Sequence, residues 1–164
     1  FFVIKSKSDE YVFTNYAVIH VDGSSAVSKK RVVNRYEFLN YYVSNVYIET
    51  AGHIDLDIEI KFSLGNINFS IDVDKNQIEQ LKDIYKALFE IGRIQCFNNM
   101  YLENRKNSLN LASSVFGKSG TQHNESIVDA YKNIVEFNDK FLSDSIKEFK
   151  QRDFSETFIK YIQQ

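Results

Sequence analysis

A stretch of alternating side chains near the middle of the chain restricts the possible folds more than any other feature. From His53 to Leu64, apolar residues at the even-numbered positions alternate with polar residues at the odd-numbered ones. Only an extended strand with one buried face uses this period of two. Gly65-Asn66 is typical of a tight turn, and the alternation resumes from Ile67 to Val73. These segments therefore predict a long antiparallel β-hairpin.

Shorter strands are predicted before this hairpin. Turn residues such as Asp22-Gly23 separate segments that are rich in β-branched and aromatic residues. Phe1 is expected to lie inside a first strand that begins upstream of the printed sequence. About seven short strands without an intervening helical period predict a small antiparallel barrel or sandwich and exclude βαβ units. The four strands predicted between the first strand and the hairpin are Tyr11–Phe13, Tyr16–Val21, Arg31–Phe38 and Val43–Thr50.

At Asp74 the apolar period changes to that of an α-helix. Asp74 and Gln77 have the spacing of an N-terminal cap, and an apolar stripe continues from Ile78 to Ile91. The stripe predicts a helix of about 20 residues that closes one end of the barrel.

The remaining residues predict a helical hairpin and a last short helix. Apolar residues from Met100 to Phe116 fit a second helix, either continuous or interrupted by the polar stretch Glu103–Asn107. A third helix is expected after Asn124, and a last helix over Ser155–Ile162. The predicted domains are a β-rich domain over residues 1–95 and a helical extension over residues 96–164.

Charge and cysteine content exclude several classes of protein. The 20 Lys and Arg against 22 Asp and Glu exclude a globally basic nucleic-acid coat. Cys96 has no partner for an internal disulfide, which favours the cytoplasm. No apolar stretch approaches the roughly 20 residues that cross a bilayer, and the first residues do not have the order of a signal peptide. We expect a cytoplasmic protein that needs no cofactor, binds no nucleic acid and has no transmembrane segment.

Three segments closely resemble the bacterial pleckstrin-homology (PH) domain family typified by the YvbH-like proteins: Phe13–Gly23, Glu49–Phe62 and Asp83–Leu88. The resemblance covers residues 1–95, and the helical tail resembles the extension of YvbH-like members. It implies an α+β fold, with a PH-like antiparallel seven-stranded barrel, a C-terminal capping helix and a helical hairpin extension. It also implies assembly into ring-like homo-oligomers, and it brings no catalytic motif.

A run of positive charge lies in the fourth predicted strand and just before it. Strand alternation places Lys29, Arg31 and Arg35 on one face, where they would attract an anionic lipid or peptide. A charged strand face that is solvated, or that pairs at an interface, explains the same residues.

Two sets of residues have side chains that can bind a metal or act as a nucleophile. His53, Asp55 and Asp57 share one strand face and could bind a metal in a metal-dependent hydrolase. Their spacing lacks a specific ligand signature, and the simpler interpretation is the solvent face of a strand. Cys96 is expected to be a small buried residue rather than a nucleophile. We therefore expect no catalytic residue and no metal site.

The sequence contains more large apolar side chains than one small core can bury. The remaining ones are candidates for an interface between subunits or between the tail and the barrel. Aromatic residues dominate binding energy at such interfaces, and the apolar stripe of the tail is wider than one partner helix covers. The candidates are Tyr36, Phe38 and Tyr47 in the strands, and Ile127, Ile134, Phe137 and Phe141 in the tail.

The leading hypothesis is a non-enzymatic PH-like scaffold or interaction module that self-associates into a homo-oligomer. The alternative is a peripheral module that binds an anionic lipid or peptide through residues 29–35. A protein or peptide partner fits either hypothesis, and a metal-dependent hydrolase is the third. The near-neutral charge favours the first, since an electrostatic membrane module usually has a broader basic face.

Overall fold

A computed structural model describes residues 1–6, 9–23, 31–50, 58–118 and 127–162. They group into two units. Unit 1 comprises Phe1–Gln95 and Arg152–Gln164, and unit 2 comprises Cys96–Gln151.

Unit 1 contains two antiparallel sheets. Sheet 1 has the strand order β1-β2-β3-β4 and sheet 2 the order β5-β6-β7, with strands at most of the positions that the alternation predicts. The strands are β1 (Phe2–Ser6), β2 (Asp9–Phe13), β3 (Ala17–Gly23), β4 (Arg31–Glu37), β5 (Val43–Thr50), β6 (Ile58–Leu64) and β7 (Ile67–Val73).

The predicted hairpin is confirmed in the part that is described. Leu64 lies opposite Ile67 at the turn, and Ile58 lies opposite Val73 at the far end. Gly65 has a φ of +59°, a left-handed conformation that glycine adopts without steric cost. Residues 53–57, which were expected to extend β6, lie outside the described residues.

The two sheets are not closed into one barrel, so the seven-stranded barrel is not confirmed. Among the described strands, β4 is hydrogen-bonded only to β3, and β5 only to β6. A bulge between Ser44 and Tyr47 interrupts the ladder of β5, and Asn45 within it has a φ of +51°. Val43 and Ser44, which precede the bulge, lie opposite Leu64 and Ser63 of β6, and the bulge bends the strand and strengthens its local twist. The fold of unit 1 is α+β, built on two sheets rather than one closed barrel.

The core of unit 1 is formed by side chains from both sheets and from two helices. Phe62 stacks on Phe69 with ring centroids 4.9 Å apart, and Phe13 packs against Phe62. The first part of helix α1 (Ile78–Lys118) adds the apolar stripe that the sequence predicts, including the buried Leu81, Ile84, Leu88 and Ile91.

Helix α1 also approaches the start of β5 closely. A Cβ atom at Gly92 would lie 2.5 Å from the carbonyl oxygen of Val43, so this contact requires glycine. One turn further on, the buried Gln95 side chain accepts a hydrogen bond from the Val43 amide at 2.8 Å and donates one to the Phe38 carbonyl at 2.6 Å. Gln95 thereby satisfies backbone groups where the chain passes from sheet 1 to sheet 2.

The expected break between a first and a second helix is wrong. Helix α1 is continuous for 41 residues and includes the polar stretch Glu103–Asn107. Most of that stretch is exposed, where polar residues with good helix propensity continue a helix, and Glu103 pairs with Lys106 at 2.6 Å. Cys96, expected to be buried just after a helix, is instead exposed within α1.

The two later helices are α2 (Ile127–Phe149) and α3 (Ser155–Ile162). Helix α3 belongs to unit 1, where Phe154 and Phe158 are fully buried and contact Phe38. The Phe154 amide donates to the Asn15 carbonyl at 3.0 Å.

The carboxylate of Asp153 anchors the start of α3. It accepts hydrogen bonds from the Ser155 backbone N–H, from the side-chain amide of Asn15 at 2.9 Å and from the Tyr16 hydroxyl at 3.2 Å. These donors, those of Ser155 first, lower the pKa of Asp153 to about 2 because they stabilise its charged form.

Candidate interaction surfaces

Arg105 holds α2 against the second part of α1 within unit 2. Its guanidinium donates to the Ser145 hydroxyl at 3.2 Å and pairs with Glu148 at 3.0 Å. The same group lies 4.8 Å from the ring centroid of Phe149 and 5.7 Å from that of Phe141. One side chain therefore fixes the position of α2 along α1 by hydrogen bonding, charge and cation–π contact.

A largely apolar groove lies between these two helices. It has a volume of about 320 Å³, and Phe137 beside it is 62% exposed. We call it the hairpin groove. It is lined by Leu109, Ala112 and Ser113 of α1, and by Asn133, Ile134, Phe137 and Asn138 of α2.

The predicted apolar residues of the tail lie on α2. Ile134 and Phe137 line the hairpin groove, and Phe141 stacks on Phe137 with ring centroids 6.0 Å apart. The structure thus brings three of the four candidates together. The fourth, Ile127, begins α2, and its side chain lies outside the described residues.

The three predicted aromatic residues of the strands lie in different environments within unit 1. Phe38 is buried in the core. Tyr36 is half-buried and packs edge-on against Tyr41 and Phe69. Tyr47 is 49% exposed beside a shallow polar hollow of about 510 Å³ that includes Asn45 and Lys61.

The Lys61 side chain in this hollow forms ion pairs with two carboxylates. It pairs with Glu49 and, at 2.9 Å, with Glu59, and the hydrogen bonds that the Lys61 ammonium donates to these two carboxylates raise its pKa. The hollow therefore offers no uncompensated positive charge to a ligand.

Two of the predicted basic residues lie together on sheet 1. Arg31 and Arg35 are both exposed in β4 and share its outer face, but Arg35 pairs with Glu37 at 3.1 Å. Lys29 lies outside the described residues.

The outer face of sheet 1 carries apolar residues that we did not single out from the sequence. Its strands place one set of side chains in the core and the opposite set outward. The signal was present in the short apolar runs of β1 to β3, because runs without polar alternation indicate apolar residues on both faces. The outward set, which we call the aliphatic face, is Val3, Val12, Ile19, Val21 and Val33.

The inner face of sheet 1 contains a group of titratable side chains. The Tyr11 ring stacks on His20 with centroids 4.5 Å apart, and His20 Nε2 lies 3.3 Å from an Asp9 carboxylate oxygen. Burial, together with the negative charge of Asp9, raises the pKa of Tyr11 to about 12. Tyr11 is therefore neutral here, and its hydroxyl donates to an Asp9 carboxylate oxygen at 3.4 Å.

The described ranges contain neither a cluster of metal ligands nor a helix that could span a membrane. There, no three His, Cys, Asp or Glu side chains come together as metal ligands. His53, Asp55 and Asp57 lie outside those ranges. Among the described helices, none is long and apolar enough to span a bilayer.

Comparison with known proteins agrees with this architecture. Residues 1–91 match the family described as Bacterial PH domain, and residues 103–164 match the YvbH-like oligomerisation region. The uncharacterized protein YvbH of Bacillus subtilis (strain 168) is 44% identical over 162 residues, which are 99% of this chain and 79% of that protein.

A solved structure supports the same assignment. The PH domain containing protein from Exiguobacterium sibiricum 255-15 is 40% identical, with a TM-score of 0.85 over 98% of this chain and 84% of that one. Since sequence and fold agree along nearly all of its length, the chain belongs to the bacterial PH domain family and is YvbH-like.

Proposed function

We propose that this protein is a non-enzymatic PH-domain scaffold that self-associates, with unit 2 joining the copies through the hairpin groove. The observation that carries the proposal is the apolar, open groove beside Ile134 and the 62% exposed Phe137. We expect the assembly to work in the cytoplasm.

The energetics of a two-helix hairpin favour association. In the described part of unit 2, only Leu102 and Ser145 are buried, while Phe137 and Tyr131 are mostly exposed. Removing one large apolar side chain from water contributes about 1.5–3 kcal/mol. Two or three such side chains buried from each copy therefore provide a substantial driving force for a helix–helix contact.

A second copy is the occupant of the groove that the comparisons support best. The matched region described as YvbH-like oligomerisation region includes every residue that lines the groove. Ala112 and Ser113 are small, which lets a helix of the second copy approach α1 closely. Isologous packing of two hairpins would bury the same surface on both copies.

Light scattering of the full chain at two concentrations tests the proposal. The wild-type protein is expected at a multiple of 19.2 kDa, and Phe137→Asp at a smaller mass, because a charge would be buried at the contact. Ser143→Asp introduces the same residue at an exposed position of α2 outside the groove, and it should leave the mass unchanged. Far-UV circular dichroism confirms that each variant is folded.

Two outcomes contradict the proposal. A wild-type mass of 19.2 kDa at both concentrations excludes stable self-association. An unchanged mass in folded Phe137→Asp excludes the hairpin groove as the contact.

A further inference from the structure

We infer that the polar hollow on sheet 2, beside Tyr47, is a binding site for a neutral saccharide. The inference goes beyond the proposed self-association and does not depend on it. It follows from the bulge in β5, from the fixed positions of the polar groups and from the charge of the lining. The lining residues are Asn45, Val46 and Tyr47 of β5, Lys61, Phe62 and Ser63 of β6, and Asn68, Phe69 and Ser70 of β7.

The polar hollow lies on the face of sheet 2 that is turned away from the core. Tyr47 lies opposite Lys61, and Lys61 lies opposite Ser70, so these three residues form one row across the three strands. Their neighbours in sequence on β6 and β7, Phe62 and Phe69, are buried in the core. Side chains alternate between the two faces of a strand, so the row is on the outer face.

The bulge in β5 brings an additional amide into the lining. Asn45 lies in the bulge and has a left-handed φ of +51°, which asparagine adopts more readily than most residues. Bulges redirect the side chains that they contain. Here the Asn45 Nδ2 amide reaches β6 and donates to Ser63 Oγ at 3.3 Å. The resulting hollow of about 510 Å³ lies within the range of about 300–1,000 Å³ found for small-molecule sites.

Ser63 holds two amides in fixed positions. It is 4% exposed and lies opposite Asn68, in the row next to that of Tyr47. Its hydroxyl donates to Asn68 Oδ1 at 2.8 Å and accepts from Asn45 Nδ2. Each amide also has a second polar atom, an acceptor at Asn45 Oδ1 and a donor at Asn68 Nδ2. Among the described residues, neither atom has a partner, so both are available to a ligand without rearrangement.

Tyr47 provides a flat apolar surface beside these amides. Its ring is 49% exposed, and within the described part of the chain its hydroxyl has no hydrogen-bond partner. A tyrosine therefore offers an apolar ring face and a polar tip. A pyranose has matching surfaces, because C–H groups form one face of the ring and hydroxyls that both donate and accept form its rim. A sugar stacked on Tyr47 can hydrogen-bond to the neighbouring amides.

The charge of the lining favours a neutral ligand. Lys61 is the cation of the lining, and it is already paired with Glu49 and Glu59. A phosphate or an anionic lipid headgroup would have to compete with these two carboxylates. A cationic ligand would meet no carboxylate in the lining itself, since none of the lining residues is acidic. The remaining polar groups are amides and hydroxyls, which are suited to the hydroxyls of a sugar.

Saturation-transfer difference NMR on the full chain tests the inference, because it observes the ligand and works for an assembly of any size. The probes are the neutral oligosaccharides maltohexaose, cellohexaose and chitohexaose at millimolar concentration, since a shallow site with few contacts binds weakly. We expect at least one probe to receive saturation, most strongly at the C–H protons of its ring.

Substitutions in the hollow should weaken this binding. Tyr47→Ala removes the stacking surface, and we expect an affinity about tenfold lower. Asn68→Ala, which removes the available donor, should also weaken binding. Tyr131→Ala is the matched control, because Tyr131 is 68% exposed on α2 and lies outside the hollow. It should keep the wild-type affinity, with circular dichroism confirming that each variant is folded.

Three results overturn the inference. The first is the absence of saturation transfer to all three probes. The second is an equal loss of binding in Tyr47→Ala and Tyr131→Ala, since the site would then not be the hollow. The third is binding of spermine or inositol hexakisphosphate that Tyr47→Ala weakens while the neutral probes do not compete, which would assign the hollow to a charged ligand.

The hairpin variant separates this inference from the proposed function. Phe137→Asp changes unit 2 and should retain saccharide binding even where it reduces the mass. If the wild-type protein is a monomer and binds a probe through Tyr47, the proposed self-association is wrong and the inference stands. If the protein self-associates through the hairpin groove and no probe binds, the inference is wrong and the proposed function stands.

Discussion

The two units differ most in how they bury apolar side chains. In unit 1, two sheets, the first part of α1 and α3 enclose a cluster of buried residues that includes Phe13, Phe62 and Phe158. In the described part of unit 2, two helices bury Leu102 and Ser145, while several large apolar residues remain exposed. A pair of helices without a further layer cannot cover both sides of an apolar stripe.

This difference indicates that unit 1 provides a stable core and that unit 2 provides an exposed surface. Unit 1 has the layered packing of an independently stable domain. The described part of unit 2 has an exposed apolar surface, which fits the proposed role in assembly. Substitutions in the core of unit 1 should therefore affect folding, while those on the surface of unit 2 should affect association.

The largest expected effect is at the centre of unit 1. Phe62→Ala removes a ring that is 2% exposed and stacks on Phe69, so we expect a loss of about 3–5 kcal/mol in the free energy of unfolding. Urea denaturation measures it. Leu111→Ala in unit 2, at a side chain that is 68% exposed, should cost less than about 0.5 kcal/mol. Similar losses at both positions would contradict the comparison between the units.

A smaller effect is expected where α1 supports the connection between the sheets. Gln95→Ala leaves the Val43 amide and the Phe38 carbonyl without their buried partner, and we expect a cost of about 1–3 kcal/mol. Hydrogen exchange should show faster exchange at the Val43 amide. Gln80→Ala, at an exposed position of the same helix, is the control. Unchanged protection at Val43 would show that the Gln95 contact is unimportant.

In unit 2, Arg105→Ala should loosen the pairing of α1 and α2 by about 1 kcal/mol, because the Glu148 carboxylate is exposed and the rings of Phe141 and Phe149 are only partly buried. Amide exchange along α2 should become faster, while protection of the strands in unit 1 is unchanged. Lys106→Ala removes only an exposed pair with Glu103 and is the control. Equal effects of the two variants would argue against a special role for Arg105.

The smallest effect is expected in the pH dependence of α3. The pKa of Asp153 is lowered from 3.8 to about 2, so its stabilising contribution is present above pH 3.8 and is lost as the pH falls towards 2. The NMR shifts of the Phe154 ring should report release of α3 in that range. Asp153→Asn should remove this pH dependence, and Glu156→Gln, at an exposed position of α3, should keep it. A step that persists in Asp153→Asn would assign it to another carboxylate.

Much of the β-rich part could be predicted from local sequence. The alternation from Ile58 to Val73 and the turn at Gly65-Asn66 predict the β6–β7 hairpin, because the period of two directly reflects which side chains face a core. The extent of α1 could not be predicted in the same way. A polar stretch such as Glu103–Asn107 is compatible both with a loop and with an exposed helical surface.

The candidate surfaces were predicted in part. The wide apolar stripe of the tail identified Ile134, Phe137 and Phe141, which the structure brings together on α2. Phe38 had the same aromatic character in the sequence, yet it packs in the core against Phe154. Apolar character alone does not distinguish a core residue from an exposed one, because the two differ only in what packs against them.

The sequence by itself determined the order and type of most elements and the family to which the chain belongs, since these depend on short-range periodicity and on residue identity. Only the tertiary structure decided that the sheets remain two, that α3 packs into unit 1, and that five aliphatic residues from four strands form one outward patch. The reason is that strand register and helix docking depend on contacts between residues far apart in the chain, which local patterns do not encode.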